Sequence, residues 1–253
     1  MKSKNESESA GTSLSQWQSS PLLQRVPYIS VHELVPPGHR LVVIAPHPDD
    51  EVLGCGGLLA MMAGREADLL MVTVTDGDAS HPGSRLWPPA RLRDERPLES
   101  QRSLACLGLD VASLQWHRLG LADSRVQQSE DELCSKLVDM LRSGDRVLTT
   151  WRHDAHSDHE AVGRACANAV QLANAVLLEV PVWAWHWAAP QDPRVPWQRA
   201  RKLALDSAIL ARKHRAVSAH SSQLQADSDT GAPAALPPYS LERLVQPFEL
   251  IFL

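Results

Sequence analysis

Apolar positions along the chain fall into short continuous runs separated by longer amphipathic stretches. RLVVIAP at 40–46 is an unbroken apolar run ending at a proline, and LGCGGLLAMMAG behind it has the length and spacing of a helix closed by Gly64. ADLLMVTVTDG at 67–77, SLQWHRL at 113–119 and RVLTTW at 146–151 read as further strands, the most apolar of them buried on both faces. Helical stretches at 91–107, 130–142 and 158–174 lie between and after them, and in the last Val162, Cys166, Ala169, Val170 and Ala173 form one apolar face. Ser157 and Glu160 predict an S-x-x-E capping box at its start. LLEVPVW at 177–183 reads as another strand, 201–220 as a late helix, PFELIFL at 247–253 as a closing strand and 224–240 as a surface loop. Strand and helix alternate, which predicts the α/β class: a single-domain, Rossmann-like, mostly parallel sheet flanked by helices. Residues 1–20 are polar, Ser-rich and unpatterned, so a disordered tail is expected there and one domain over 21–253.

Composition narrows the function. At 253 residues, 43% hydrophobic and 22% charged, the chain has the make-up of an ordinary globular protein with a sizeable core. Its 25 basic and 30 acidic residues leave a net charge of −5, which supplies no positive field for a phosphate backbone, so no nucleic-acid partner is expected. Cys55, Cys106, Cys134 and Cys166 are far apart and sit in hydrophobic segments, as reduced thiols do. No apolar stretch follows Lys2 and Lys4, so a secretory signal is not predicted and a cytoplasmic location is expected. Glu179 and Pro181 interrupt the richest apolar stretch, and no membrane span is predicted.

In an open parallel sheet, catalytic groups gather at the carboxyl ends of the strands. The loop after the first strand reads Pro46-His47-Pro48-Asp49-Asp50-Glu51, one imidazole and three carboxylates within five residues. Such acids repel one another unless a cation neutralises them, and a divalent metal is the simplest. HDAHSDHEAVG at 153–163 follows the fourth strand and brings His153, His156, His159, Asp154 and Asp158 to the same sheet edge. Two imidazoles and one carboxylate with open positions make the catalytic form of a zinc site, suited to hydrolysis: the metal acidifies a water and a nearby carboxylate takes its proton. Asp49 and Asp50 are adjacent and point in different directions, so one can ligate while the other stays free as base.

The order P-H-P-D-D-E after a strand, T-D-G after the second, H-x-D-H before a helix and A-H-x-S-Q late in the chain resembles the PIG-L/LmbE-like zinc N-deacetylases, from about Arg40 to Leu253. Members of that family remove an acetyl group from N-acetylglucosamine units in glycolipid, thiol-cofactor and antibiotic precursors. The resemblance implies one zinc ion per chain, or another divalent metal, held by His47, Asp50 and His159, with Asp49 as general base. It further implies that His156 stabilises the oxyanion or protonates the leaving amine and that Asp158 orients His156. Thr75-Asp76-Gly77 matches the family's second-strand loop, and Arg96 with Glu99 falls where the family has R-x-x-E, which places Arg96 and Asp76 near the sugar. Lys213, His220, Ser222 and Gln223 match the late motif and are expected to be structural.

Trp183, Trp185 and Trp187 alternate along VWAWHWAAP, and in an extended segment three indoles on one face could stack a sugar ring, with Trp185 at the centre; core packing is the other use of such a face. His186, on the opposite face, is expected to be structural. Two departures from the family stand out. Asp154 occupies a position where some members have tyrosine, and Pro97 inside R-x-x-E implies a helix that begins near Arg96 or kinks there.

The expected function is removal of acetate from a small-molecule or glycoconjugate substrate, with the loops at 78–92 and 188–198 selecting the aglycone. Three other readings compete. His47-x-Asp49 with a distant histidine also spells the facial triad of a non-haem iron oxygenase, though on an unsuitable fold. G-C-G-G could open a nucleotide-binding module, though without G-x-G-x-x-G. A non-catalytic sugar binder would use the tryptophans equally. The sequence leaves a homo-oligomer open.

Overall fold

The computed structural model describes residues 11–253. Eight strands form one sheet: β1 Tyr28–Ile29, β2 Leu41–Ala45, β3 Leu69–Thr75, β4 Gln115–Leu121, β5 Arg146–Thr150, β6 Val176–Val180, β7 Ala200–Ala204 and β8 Phe248–Phe252. Their spatial order is β1-β7-β8-β6-β5-β2-β3-β4, parallel throughout except for β8, which runs antiparallel to both β6 and β7. The sheet is the mostly parallel one that the alternation predicts. All five residues of β2 and all seven of β3 are buried, which accounts for their continuous apolar runs.

Among the described residues the helices are α1 Leu14–Gln18, α2 Pro21–Arg25, α3 Val31–Leu34, α4 Asp50–Met61, α5 Pro89–Leu107, α6 Glu130–Met140, α7 Ser157–Ala173, α8 Ala184–Trp187, α9 Ser207–Ser218, α10 Ser221–Leu224 and α11 Pro238–Leu244. They cover both faces. Leu41, Val43, Leu69 and Met71 point into one core with residues of α4 and α5, whereas Val42, Ile44, Leu70 and Val72 point into the other with α6 and α7. From β2 the chain goes on to β3 and β4 on one side, and β5 and β6 lie on the other, so the topological switch falls between β2 and β5. The crevice at their carboxyl ends is the place this topology provides for a site.

Several local expectations are corrected. The tail expected over residues 1–20 is folded from residue 11 onward, since Trp17 of α1 is 2% exposed and its Nε1 donates to Trp185 O at 2.8 Å; residues 1–10 lie outside the described residues. The segment 201–220 is not all helix. Its first residues form β7, whose pairing with β8 outweighs their helical composition, and the helix starts only after Asp206, whose side chain accepts from Ile209 N. The Ser157–Glu160 capping box is absent: His156 is the N-cap of α7, Ser157 is its first helical residue, and Glu160 Oε1 accepts from Ala155 N. Helix α5 neither begins at Arg96 nor stops at Pro97. Proline removes the donor that would reach Arg93 O, and the Arg118 guanidinium supplies one at 3.3 Å. No helix of the described residues is long and apolar enough to cross a membrane.

Candidate metal centre

The loop leaving β2 is pinned from the side: Pro46 O accepts from both Thr75 N and Thr75 Oγ1 at 3.0 Å, so the end of β3 fixes where the loop turns. Asp49 follows with φ 141°, a left-handed conformation that costs a non-glycine residue about 1–3 kcal/mol. Glu51 holds it there by accepting Asp49 N at 3.0 Å while taking Ser100 Oγ at 2.7 Å. The third acid of the loop thus anchors backbone. The other two carboxylates diverge, Asp50 toward the histidines and Asp49 toward Arg96.

Asp50 Oδ2 lies 3.0 Å from His47 Nδ1 and 3.3 Å from His159 Nε2, and one ligand atom from each of the three residues falls within 4.8 Å of the others. The far nitrogen of each imidazole meets a second buried carboxylate: His159 Nδ1 to Asp154 at 2.8 Å, and His47 Nε2 to Asp158 at 3.2 Å and Asp123 at 3.4 Å. A carboxylate behind a histidine fixes its tautomer and raises its basicity as a ligand, so this donor set fits a divalent cation with nitrogen preference. His47, Asp123 and Asp158 also cluster within 4.8 Å. That group offers a single imidazole, and its acids are taken: Asp158 accepts from Ser124 N at 2.7 Å and Val126 N at 3.2 Å, and Asp123 from Ala79 N at 2.8 Å.

The protein's own charges set the protonation pattern. Burial opposes charge on His159, yet Asp50 and Asp154 hold it up at about 9; burial likewise opposes charge on His47, and Asp123, Asp158 and Asp50 carry it well above the ordinary value. Burial would raise Asp50, but the two imidazoles keep it well below the carboxylate range. Asp49 behaves oppositely, since burial, with a contribution from Asp50, outweighs Arg96 and lifts it to about 7. His156 is lowered to about 4 by burial and by its cationic neighbours His159 and His47.

His156 sits beside both histidines, its ring centroid 5.1 Å from His47 and 4.4 Å from His159. Its Nδ1 has no hydrogen-bond partner among the described residues. Asp158, expected to orient His156, instead faces His47 and the backbone of 124–126, because α7 turns its first-turn carboxylate toward the loop after β4. Arg96 is 3% exposed and lines the cleft, donating to Gly77 O at 2.7 Å, Pro48 O at 2.8 Å and Asp49 Oδ2 at 3.0 Å. Gly77 is required for this: at φ 67° a Cβ there would lie 2.0 Å from Arg96 Nη1. Asp76, expected near the sugar, pairs with Arg118 at 2.9 Å and is not among the residues lining the cleft.

Trp185 is corrected too. The 183–187 segment is not extended; the Asp154 carboxylate accepts Val182 N, Trp183 N and Ala184 N and starts the one-turn helix α8. The three indoles therefore diverge. Trp185 packs edge-on to Trp17 in the core, Trp187 stacks on Trp151, and Trp183 alone lines the cleft, together with His186. His153 is exposed against Trp151 and takes no part. The sequence reading missed Asp123, whose only signal was its place just past β4, and the role of Asp154 behind His159. The G-C-G-G run is buried: a Cβ at Gly54 or Gly57 would meet Val180 or Leu205 within 2.6 Å, which leaves no room for a nucleotide.

The model of the PIG-L family, described as GlcNAc-PI de-N-acetylase, matches residues 42–170, just over half of the chain and inclusive of both histidine loops. The chain belongs to the PIG-L family. Among curated PIG-L relatives, the probable N-acetyl-alpha-D-glucosaminyl L-malate deacetylase 2 of Bacillus subtilis (strain 168) is 29% identical over 138 residues, covering 52% of this chain and 60% of that one. The 1D-myo-inositol 2-acetamido-2-deoxy-alpha-D-glucopyranoside deacetylase of Mycobacterium sp. (strain KMS) is 28% identical over 177 residues, 60% of this chain and 55% of that one. The match thus spans little more than half the length of these relatives. Among solved structures, a deacetylase triple mutant of the teicoplanin biosynthetic pathway superposes with a TM-score of 0.58 at 24% identity, over 84% of this chain and 96% of that one. The N,N'-diacetylchitobiose deacetylase of Pyrococcus horikoshii gives 0.54 at 19% identity, over 73% and 70%. At these identities the structural likeness establishes the fold of this PIG-L protein.

Proposed function

We propose that the protein is a zinc-dependent hydrolase that removes the N-acetyl group from an N-acetylglucosamine conjugate, with His47, Asp50 and His159 holding one metal ion. The observation that carries this reading is the triad of two imidazoles and one carboxylate, each imidazole backed by a second acid, next to a buried carboxylate that ligates nothing. Bound there, zinc supplies a Lewis acid that acidifies water and polarises an amide carbonyl. The names of the curated relatives, deacetylases of N-acetylglucosaminyl compounds, support the substrate class.

The remaining steps belong to the chain's own side chains. Asp49 is aimed by Arg96 and by the Glu51-pinned backbone, and burial raises its affinity for a proton, so it can take a proton from the attacking water and return it to the departing nitrogen. His156 lies beside both metal-binding imidazoles with its Nδ1 unpartnered among the described residues, so it can donate a hydrogen bond to charge developing on the carbonyl oxygen. Products are acetate and the free amine. In this reading Asp158 positions His47 rather than His156.

Acetate release from a panel of N-acetylglucosamine conjugates by zinc-loaded protein tests the proposal. Asp49→Asn should keep one equivalent of zinc while turnover falls by at least about 10²-fold, the scale of a lost general base. His159→Ala should lose both metal and turnover. Full activity in Asp49→Asn would remove the base, and a zinc-loaded wild type that releases no acetate from any conjugate would sink the deacetylase reading.

A further inference from the structure

The cleft at the metal centre has a volume of about 340 Å³, at the small end of ligand pockets, and its lining is of two kinds. One is the ionisable cluster. The other is an apolar wall made of Leu53, Val182, Trp183, Leu236 and Leu244. Trp183 is 41% exposed, although its neighbours Val182, Ala184 and Trp185 are buried. Its indole lies nearly parallel to the His156 ring, with centroids 5.8 Å apart and planes at 25°, so a group on this wall is held next to the reacting centre.

The wall is also rigidly mounted. Asp154, which backs His159, accepts the three consecutive N–H groups of 182–184, and Trp187 Nε1 donates to Asp154 O at 2.8 Å. Leu236 is fixed from the opposite side by its N–H to Gln223 O at 2.9 Å.

Charge complementarity decides what such a wall can take. Among the described residues Arg96 is the only Lys or Arg that lines the cleft; its Nη1 and Nη2 donate to Gly77 O, Pro48 O and Asp49, and its Nε is buried away from the cleft surface with no partner among the described residues. His186 on the rim is bonded through Nδ1 to Arg243 at 2.8 Å, and burial, aided by that cation, lowers it to about 4, so it is neutral. An anionic group on this wall would lose hydration and meet no accessible lysine or arginine, which is unfavourable, whereas an apolar one gains contact area.

Resting on the deacetylase reading, we propose that the group attached to the sugar is uncharged and apolar, an alkyl or aryl aglycone, and that Trp183 is the side chain that selects it. The test is a matched set of N-acetylglucosamine glycosides carrying methyl, phenyl, octyl or a hydroxy-dicarboxylic acid, with kcat/KM for acetate release measured on zinc-loaded wild type, Trp183→Ala and Trp183→Phe. In wild type the phenyl and octyl glycosides should exceed the methyl and the dicarboxylic ones by about tenfold or more. Trp183→Ala should collapse the phenyl-to-methyl ratio toward one, and Trp183→Phe should restore most of it, which loss of folding would not do. A dicarboxylic glycoside turned over as fast as the phenyl one, or a ratio indifferent to Trp183→Ala, would overturn the proposal while leaving the deacetylase standing. No release from any glycoside would overturn both.

Discussion

At the scale of single residues, the site is organised by carboxylates that differ only in what they face. Asp50 faces two imidazoles, Asp49 a guanidinium, Glu51 a backbone N–H and a serine, and Asp154 a histidine and the start of a helix. Asp154 carries the clearest consequence. Asn in its place would set an amide NH₂ against donors that need an acceptor, and His159 would lose its backing. Asp154→Asn should therefore weaken metal affinity about 10–100-fold, read by competition with a chelator. An unchanged affinity would show that His159 needs no partner. That these residues meet was legible from their clustering in two short loops. Their partners were not: Asp158 was paired with the wrong histidine because chain proximity to His156 says nothing of where a helical side chain points.

At the scale of elements, helix α4 carries Asp50 and is broken in its middle. Cys55 has φ −143° and ψ 26°, which interrupts the ladder and leaves Leu53 O, Gly57 N and Leu58 N in need of partners. Lys213 Nζ donates to Leu53 O at 3.0 Å, Glu249 accepts both N–H groups, and the two side chains pair with each other at 2.6 Å in full burial. The glycines of G-C-G-G let these groups approach. Lys213→Met would leave Glu249 as an unpaired buried charge, so a loss of about 3–5 kcal/mol is expected in urea unfolding, with the slope unchanged. A loss below about 1 kcal/mol would mean that the pair does not hold the break. Long periodic helices such as α7 were readable in the sequence to within a residue or two at each end. The 183–187 turn and β7 were not, because distant partners, Asp154 in one case and β8 in the other, decide their conformation.

At the scale of the whole molecule, the N-terminal residues from 11 onward close the far end of the core. Trp17 packs against Trp185 at 5.0 Å between ring centroids, and Ser20 Oγ and Thr12 Oγ1 tie the segment to Pro190 O and Ala188 O. Trp17→Ala should cost about 3–5 kcal/mol, seen as a lower thermal midpoint; a midpoint matching wild type would mean that the segment does not stabilise the fold. The loop at 188–198 thus serves this packing, while the cleft is lined by 79–80 and 235–236. The sequence by itself determined the class of fold, the order of the main strands and the two loops that meet at the site, because hydrophobic periodicity and turn residues are local properties read one segment at a time. Only the tertiary structure decided which carboxylate faces which imidazole, which tryptophan reaches the cleft and whether residues 11–20 are folded, because each of these is settled by contacts between residues more than a hundred positions apart or by the direction a side chain takes once its element is packed.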